Sequence, residues 1–248
     1  MAEEQSFRIV PLGDSAVTVE FEQEISQRVN AKVMGLFRLV EEAPFSGYRE
    51  SVPAYRSLTV HYDPLQISYE EIAGILAEAC RNVRTEEDEK ALTLTLPVCY
   101  GGEFGPDLPE VAAFEGISPE EVVRRHSEGL SFVYFIGFAP GNAYIGAPAE
   151  TFHVPRKKTP RLKIPAGSIT IWQSQTTVFP MEQPGGWNVI GRTPLTIFDA
   201  KAEDPFLIKA GMKIHFVPVS EEEYRRIEAE VAAGTYRVKL TREEEADR

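Results

Sequence analysis

An α+β fold in two parts is what this chain predicts: a small ferredoxin-like α/β domain over residues 1–88, a β-barrel domain over residues 89–240, and an acidic tail at 241–248. Three observations carry that expectation. Setting aside a first short strand, residues up to Leu96 switch between strand and helix periods in the order strand, helix, strand, strand, helix, strand, which is the split β-α-β arrangement. From Phe132 onward, short apolar pieces are evenly punctuated by Gly and Pro, as in a closed or nearly closed barrel whose edges are hidden by closure. Between the two lies the charged run Arg84 to Lys90, which marks the boundary.

The elements follow in order. A short strand near Phe7 to Val10 pairs with a second one, in which Val17, Val19 and Phe21 share a face after a Gly13-Asp14 turn. Ile25, Val29, Val33, Leu36, Phe37 and Val40 recur at helical spacing behind Ser26, a good N-cap, and the helix stops near Pro44. Tyr48 to Val52 and Ser57 to Tyr62 read as strands, the second alternating through Leu58, Val60 and Tyr62 before Asp63-Pro64 stops it. Ser68 and Glu71 form a capping box ahead of Ile72, Ile75, Leu76, Ala79, Cys80 and Val83. Leu92, Leu94 and Leu96 alternate again, in a strand that either completes the first domain or begins the second.

In the second part, Ser118-Pro119-Glu120-Glu121 opens a helix with an N-cap, a first-position Pro and an acidic first turn, and Gly129 closes it. The barrel pieces are Phe132 to Phe138, Ser168 to Ile171, Thr176 to Met181, Asn188 to Ile190, Leu195 to Phe198 and Met212 to Val217. Ser220 and Glu223 cap a last helix packed through Tyr224, Ile227 and Val231, and the acidic end is expected to be disordered.

Composition removes several function classes. A formal charge of -12 over 248 residues argues against nucleic acid, which needs clustered cations to displace counterions. The longest apolar run, Phe132 to Ala139, is too short to span a bilayer, and the N-terminus lacks a basic region followed by an apolar one, so a cytoplasmic protein is expected. Cys80 and Cys99 have no metal-ligand spacing and are expected as free buried thiols. The histidines at 61, 126, 153 and 215 share no ligand spacing either, so no metal is expected. His61, His126 and His215 read as structural, His126 at a helix end where the dipole favours a protonated imidazole. No Walker A loop, G-x-G-x-x-G, H-E-x-x-H or G-x-S-x-G occurs.

What remains is the Gly-, Pro- and aromatic-rich stretch Phe135 to Arg192. Gly185 and Gly186, before Trp187, suit a tight barrel corner or a ligand cradle. Arg192 can read a carboxylate or phosphate, or brace the loops as an internal ion pair. Arg161 belongs to a basic cluster with Arg156, Lys157, Lys158 and Lys163, which is either a solvated face or an anion site. Gln175 and Thr176 can present an amide and a hydroxyl to a cavity, and Asn142 and Tyr144 can do so from the Pro140-Gly141 turn. Gln175, Thr176 and His153 are therefore the candidates for chemistry. Arg192, Asn142, Tyr144, Arg161, Gly185, Gly186 and Trp187 are the candidates for substrate binding. Phe132, Tyr134, Phe135 and Phe138 read as core or subunit contact.

Four motifs give a resemblance: P-V-C-Y-G-G-E-F-G-P-D-L from Pro97, G-F-A-P-G-x-A-Y-x-G from Gly137, T-P-R-x-x-x-P-A-G-S from Thr159 and P-G-G-W-x-x-I-G-R-T-P-L from Pro184. With Leu12 to Ala16, P-A-Y-R-S-L and H-Y-D-P, they resemble the allophanate hydrolase subunit 1 family from near the start of the chain to Pro218. That family includes the B-type subunit of the bacterial 5-oxoprolinase and the Kip-type inhibitor of a sporulation histidine kinase. The resemblance implies a cyclophilin-like barrel and a partner of the allophanate hydrolase subunit 2 kind, which in a 5-oxoprolinase is the C-type subunit, together with a third, A-type subunit. It also implies ATP-dependent opening of 5-oxoproline to glutamate. Phosphorylating the lactam oxygen would make the carbonyl attackable, and this chain would position groups and stabilise anions. Its alternatives are inhibition of a sensor histidine kinase's autophosphorylation, with the kinase as partner, and half of a biotin-dependent carboxyltransferase or allophanate hydrolase site, as in urea amidolyases.

Two places depart from the family pattern. Asn142 stands in Pro140-Gly141-Asn142-Ala143-Tyr144 where relatives usually carry P-G-F-x-Y, and Gln173-Ser174-Gln175-Thr176-Thr177 replaces G-G-Q-T-G. Left-handed backbone at a non-glycine residue costs about 1–2 kcal/mol, so a changed loop shape is expected there.

Overall fold

The structure is a computed structural model that describes residues 7–83, 92–146 and 152–242. The Arg84 to Lys90 run and the residues from Glu243 onward lie outside the described residues. The chain divides into two compact units, residues 1–89 and 90–248, each with its own core.

The first unit comprises β1 (Arg8–Pro11), β2 (Ala16–Glu20), α1 (Gln27–Glu42), β3 (Tyr48–Pro53), β4 (Ser57–Tyr62) and α2 (Tyr69–Asn82). The sheet order is β1-β2-β4-β3, antiparallel throughout. It is the ferredoxin-like sheet with one change. The N-terminal strand β1 takes the edge beside β2, and the strand through Leu94 and Leu96 goes to the barrel. Ser26 caps α1 by accepting from the Val29 N–H, and Ser68 and Glu71 close a full capping box on α2. Val29, Val33, Leu36 and Val40 on one stripe of α1 meet Val17, Val19, Leu58 and Val60 of the sheet. Burying each such side chain contributes about 1.5–3 kcal/mol, which is why the alternating and helical periods here decide the fold. Ile25 precedes the cap and stays exposed.

The second unit comprises β5 (Thr93–Tyr100), α3 (Leu108–Glu115), α4 (Pro119–Ser127), β6 (Ser131–Ile136), β7 (Ala143–Gly146), β8 (Arg161–Ile164), β9 (Ser168–Trp172), β10 (Gln175–Val178), β11 (Gln183–Gly185), β12 (Asn188–Arg192), β13 (Lys213–Pro218), α5 (Glu221–Ala232) and β14 (Leu240–Thr241). Strands β12-β9-β10-β7-β6-β13-β5 run in that order, and β12 returns to pair with β5, closing a seven-stranded barrel. β14 adds outside β5, and β8 with β11 forms a separate two-stranded ribbon. The β5–β13 pair is parallel, from Lys213 opposite Thr93 to Pro218 opposite Val98. Val98, Val133, Ile145, Ile169, Ile190 and Phe216 fill the interior.

Three differences from the sequence reading have physical reasons. Leu195 to Phe198 forms no barrel strand: it meets Phe206 in a single bridge, and Leu195 and Ile197 plug the core instead. Helix α3 has apolar residues on both sides, Val111 and Ala112 buried and Phe114 exposed, so it gives no stripe of helical period to recognise. Strand β7 is four residues long and ends in Gly146, too short for alternation to register.

Candidate functional site

The loops around the β8–β11 ribbon enclose a cavity of about 160 Å³. Five of the sequence candidates line it: Asn142, Tyr144, Gly185, Gly186 and Trp187. Asn142 is buried in the turn between β6 and β7, which is held by the Gly137 N–H donating to the Asn142 carbonyl at 3.0 Å. Tyr144 is oriented by parallel stacking on Phe135, ring centroids 4.3 Å apart. The two glycines stay out of left-handed backbone. Gly185 serves close packing, because a Cβ there would lie 2.9 Å from both Ile164 and Phe179.

Residues that sequence reasoning did not single out for binding complete the lining. Arg156 is exposed, and its guanidinium lies 4.1 Å from the Trp172 ring centroid and 5.8 Å from that of Trp187. Among the described residues it faces no carboxylate, although every other arginine or lysine of its cluster except Lys158 does. Gln183 places its Nε2 out of solvent with no hydrogen-bond partner among the described residues. It opens β11 two residues before Gly185, so only its neighbourhood to that motif could have pointed to it. Phe138, exposed and at φ 72°, stands at the mouth. A side chain of that size rarely adopts positive φ, and such strain clusters at ligand and partner sites. A cation beside aromatic faces, with two amides and few competing charges, suits a small planar molecule carrying both an amide and an anionic group.

The remaining candidates lie elsewhere. Arg161 is committed to Asp107: its two terminal nitrogens donate to the two carboxylate oxygens at 2.7 and 2.6 Å. Asp107 is buried, and it also accepts from the Val189 N–H at 2.7 Å and pairs with Lys157 at 2.9 Å. Burial alone would raise its pKa, but Arg161, Lys157 and the backbone donor outweigh that and hold the carboxyl below its ordinary value. This knot ties the start of α3 to the ribbon and to β12, which is structural work. His153 is exposed; its backbone N–H donates to Glu115 at 2.6 Å, and its ring stands 3.5 Å from the same carboxylate, outside the cavity lining. Gln175 opens β10 opposite Trp172 and Gly146 and also lies outside that lining.

Thr176 is buried inside the barrel. Its hydroxyl donates to the Thr170 carbonyl at 3.1 Å, so it can only accept from His126 Nε2 at 3.0 Å. The other ring nitrogen, Nδ1, then accepts from the Tyr100 hydroxyl at 2.8 Å. His126 is thus neutral, not the protonated helix-end imidazole that the dipole favours, because complete burial lowers its pKa to about 3. Arg192 lines a separate cavity with Ser168, and among the described residues its side chain makes one hydrogen bond, at 3.1 Å, from Nε to the Tyr224 hydroxyl. In the altered turn, Gln173 holds φ at 52°, so left-handed backbone is kept at one position despite the missing glycine, and Ser174 stays out of it.

Cys80 and Cys99 are both free, the first half-buried and the second buried. Among the described residues no group of three or more His, Cys, Asp or Glu side chains is placed to hold a metal, and no helix is long and apolar enough to cross a membrane.

Together these features define a two-unit α+β protein whose barrel carries a small amide-lined cavity beside an arginine with no carboxylate partner among the described residues. Residues 7–208 match the carboxyltransferase domain, subdomain C and D. The chain belongs to that family and is also similar to the B subunits of 5-oxoprolinase. The 5-oxoprolinase B subunit of Bacillus subtilis (strain 168) is 40% identical over 235 residues, covering 90% of this chain and 98% of that protein. A conserved uncharacterised protein of Pyrococcus horikoshii is similar in structure, with 43% identity and a TM-score of 0.52 over 88% of this chain and 100% of that one. The urea carboxylase of Kluyveromyces lactis shares the fold, with a TM-score of 0.80 at 18% identity over 95% of this chain and 24% of that one.

Proposed function

We propose that this chain is the B-type subunit of a 5-oxoprolinase-like complex, which opens the 5-oxoproline lactam to L-glutamate at the expense of ATP. It acts with subunits of the C and A types. The observation that carries the reading is the 160 Å³ cavity, which Asn142 and Gln183 line together with Arg156, a cation with no carboxylate partner among the described residues. 5-Oxoproline has the complementary groups: a lactam that exchanges hydrogen bonds with amides, and a carboxylate for the arginine. This chain has no phosphate loop of the Walker type, and ATP enters the reaction through the assembled complex. The protein's contribution is to hold the lactam in place and to stabilise negative charge growing on its oxygen while the carbonyl is activated.

The 40% identity to a B subunit over nearly that protein's whole length supports the same reading. Purification with its genomic neighbours of the A and C types should yield glutamate from 5-oxoproline and ATP. Asn142→Ala and Arg156→Ala should each lower kcat/KM at least about tenfold without changing the thermal midpoint. A complete complex with no turnover would remove the proposal.

A second reading, inhibition of a sensor histidine kinase, rests on Phe138, 81% exposed at the mouth of the cavity. An exposed, strained aromatic is a docking feature for a partner protein. Unchanged autophosphorylation of the host's kinases in the presence of the purified chain would retire it.

A further inference from the structure

We infer a second binding site, for a small oxyanion, in a cavity of about 210 Å³ on the other side of the β8–β11 ribbon, with Arg192 and Ser168 as its reading groups. Two sequence motifs that the lactam-binding proposal leaves unused converge there: Pro165 and Ser168 from P-A-G-S, and Arg192 from I-G-R-T-P. Arg192 and Ser168 are direct cross-strand partners on β12 and β9, so their side chains leave the sheet on the same face.

Charge bookkeeping within the cavity singles out Arg192. Arg161 is neutralised by Asp107, Lys163 by Glu182 at 3.0 Å, and Glu103 by Arg225 at 2.6 Å. Arg192 has no carboxylate partner among the described residues. Its Nε is fixed by the Tyr224 hydroxyl, and its guanidinium carbon lies 5.3 Å from the Phe104 ring centroid. The Nε bond and the aromatic contacts hold the plane of the group and leave the two terminal nitrogens as a fork. Ser168 is 1% exposed and lines the same cavity. A half-buried planar cation and a buried hydroxyl on one wall need an acceptor with several oxygens, which is a phosphate or a carboxylate group. The site is independent of the lactam proposal and stands or falls separately from it.

The test is calorimetric titration of the purified chain with sodium phosphate and, in a second arm, sodium acetate, at constant ionic strength. Saturable binding of phosphate alone assigns the site to phosphoryl groups, and binding of acetate with equal affinity assigns it to carboxylates. Arg192→Gln should weaken binding at least about tenfold and Ser168→Ala about threefold. Lys158→Ala, which removes an exposed cation outside the cavity, should leave it unchanged. Should Arg192→Gln fail to fold, Ser168→Ala and phosphate-dependent shifts of the Ser168 and Arg192 amide resonances in the wild type decide. Absence of binding by both anions, or equal losses in Arg192→Gln and Lys158→Ala, would overturn the inference.

Discussion

His126 shows how a single side chain couples the barrel interior to pH. In the fold it is neutral, with its pKa lowered from 6.5 to about 3, whereas in the unfolded chain it titrates at its ordinary value. Below pH 6.5 the unfolded state therefore takes up a proton that the folded state refuses. Stability is full above 6.5 and falls by about 1.4 kcal/mol per pH unit until the folded value is reached. Urea unfolding at about pH 7 and about pH 5 should differ by about 2 kcal/mol from this residue. Asp107, held low by its cations, shifts stability in the same direction but only within and below the carboxylate range, so it does not blur that window. His126→Gln keeps one donor and one acceptor for Thr176 and Tyr100 and should flatten the slope between those two pH values. An unchanged slope would assign it to another group.

The site residues show what one-dimensional reading can deliver. Turn chemistry and amide or aromatic groups cluster along the sequence at Asn142, Tyr144, Gly185, Gly186 and Trp187, and the loops bring those clusters to one cavity. The partners of Arg161 and Thr176, Asp107 and His126, are distant in sequence, so only folding shows the hydrogen bonds they make. Arg156 carried the opposite difficulty. It looks like one more member of a basic cluster until Lys157, Arg161 and Lys163 are seen to be paired.

At the level of elements, the capped helices α1, α2, α4 and α5 were readable because Ser26, Ser68, Ser118 and Ser220 each accept a hydrogen bond from the backbone N–H three residues on. Barrel closure was readable from the short, evenly punctuated strands, but the seam that makes it was not, because β12 pairs with β5 across most of the unit. Gly191 makes that seam possible: a Cβ there would lie 2.8 Å from Val98 and 2.9 Å from the Cys99 carbonyl. Gly191→Ala should cost about 1–3 kcal/mol through overpacking. The effect is read as a lower urea midpoint, with faster hydrogen exchange at the Gly191 and Arg192 amides than at those of β6 and β7. A midpoint within error of the wild type would mean that the seam relaxes without penalty.

On the scale of the whole molecule, two units with separate cores predict two unfolding events. Scanning calorimetry should give a calorimetric enthalpy larger than the van't Hoff enthalpy, and a ratio of one would make the chain a single cooperative body. The family assignment also belongs to this scale, since it rests on motifs spread along most of the chain, while activity belongs to a site that other subunits complete in our proposal.

The parallel pairing of β5 with β13 sets the schedule by which a ribosome delivers this protein. The strand that opens the barrel emerges early, yet its parallel neighbour is translated only after every other barrel strand. Until then β5 is an uncovered edge with Leu94, Leu96 and Val98 on it, available to any other strand in the cell. The first unit faces no such wait, because its sheet and helices are contiguous in sequence and can fold while the barrel is still being made. Slow translation late in the message would lengthen that exposure, so the yield of folded barrel should depend on how quickly the codons for β12 and β13 are read.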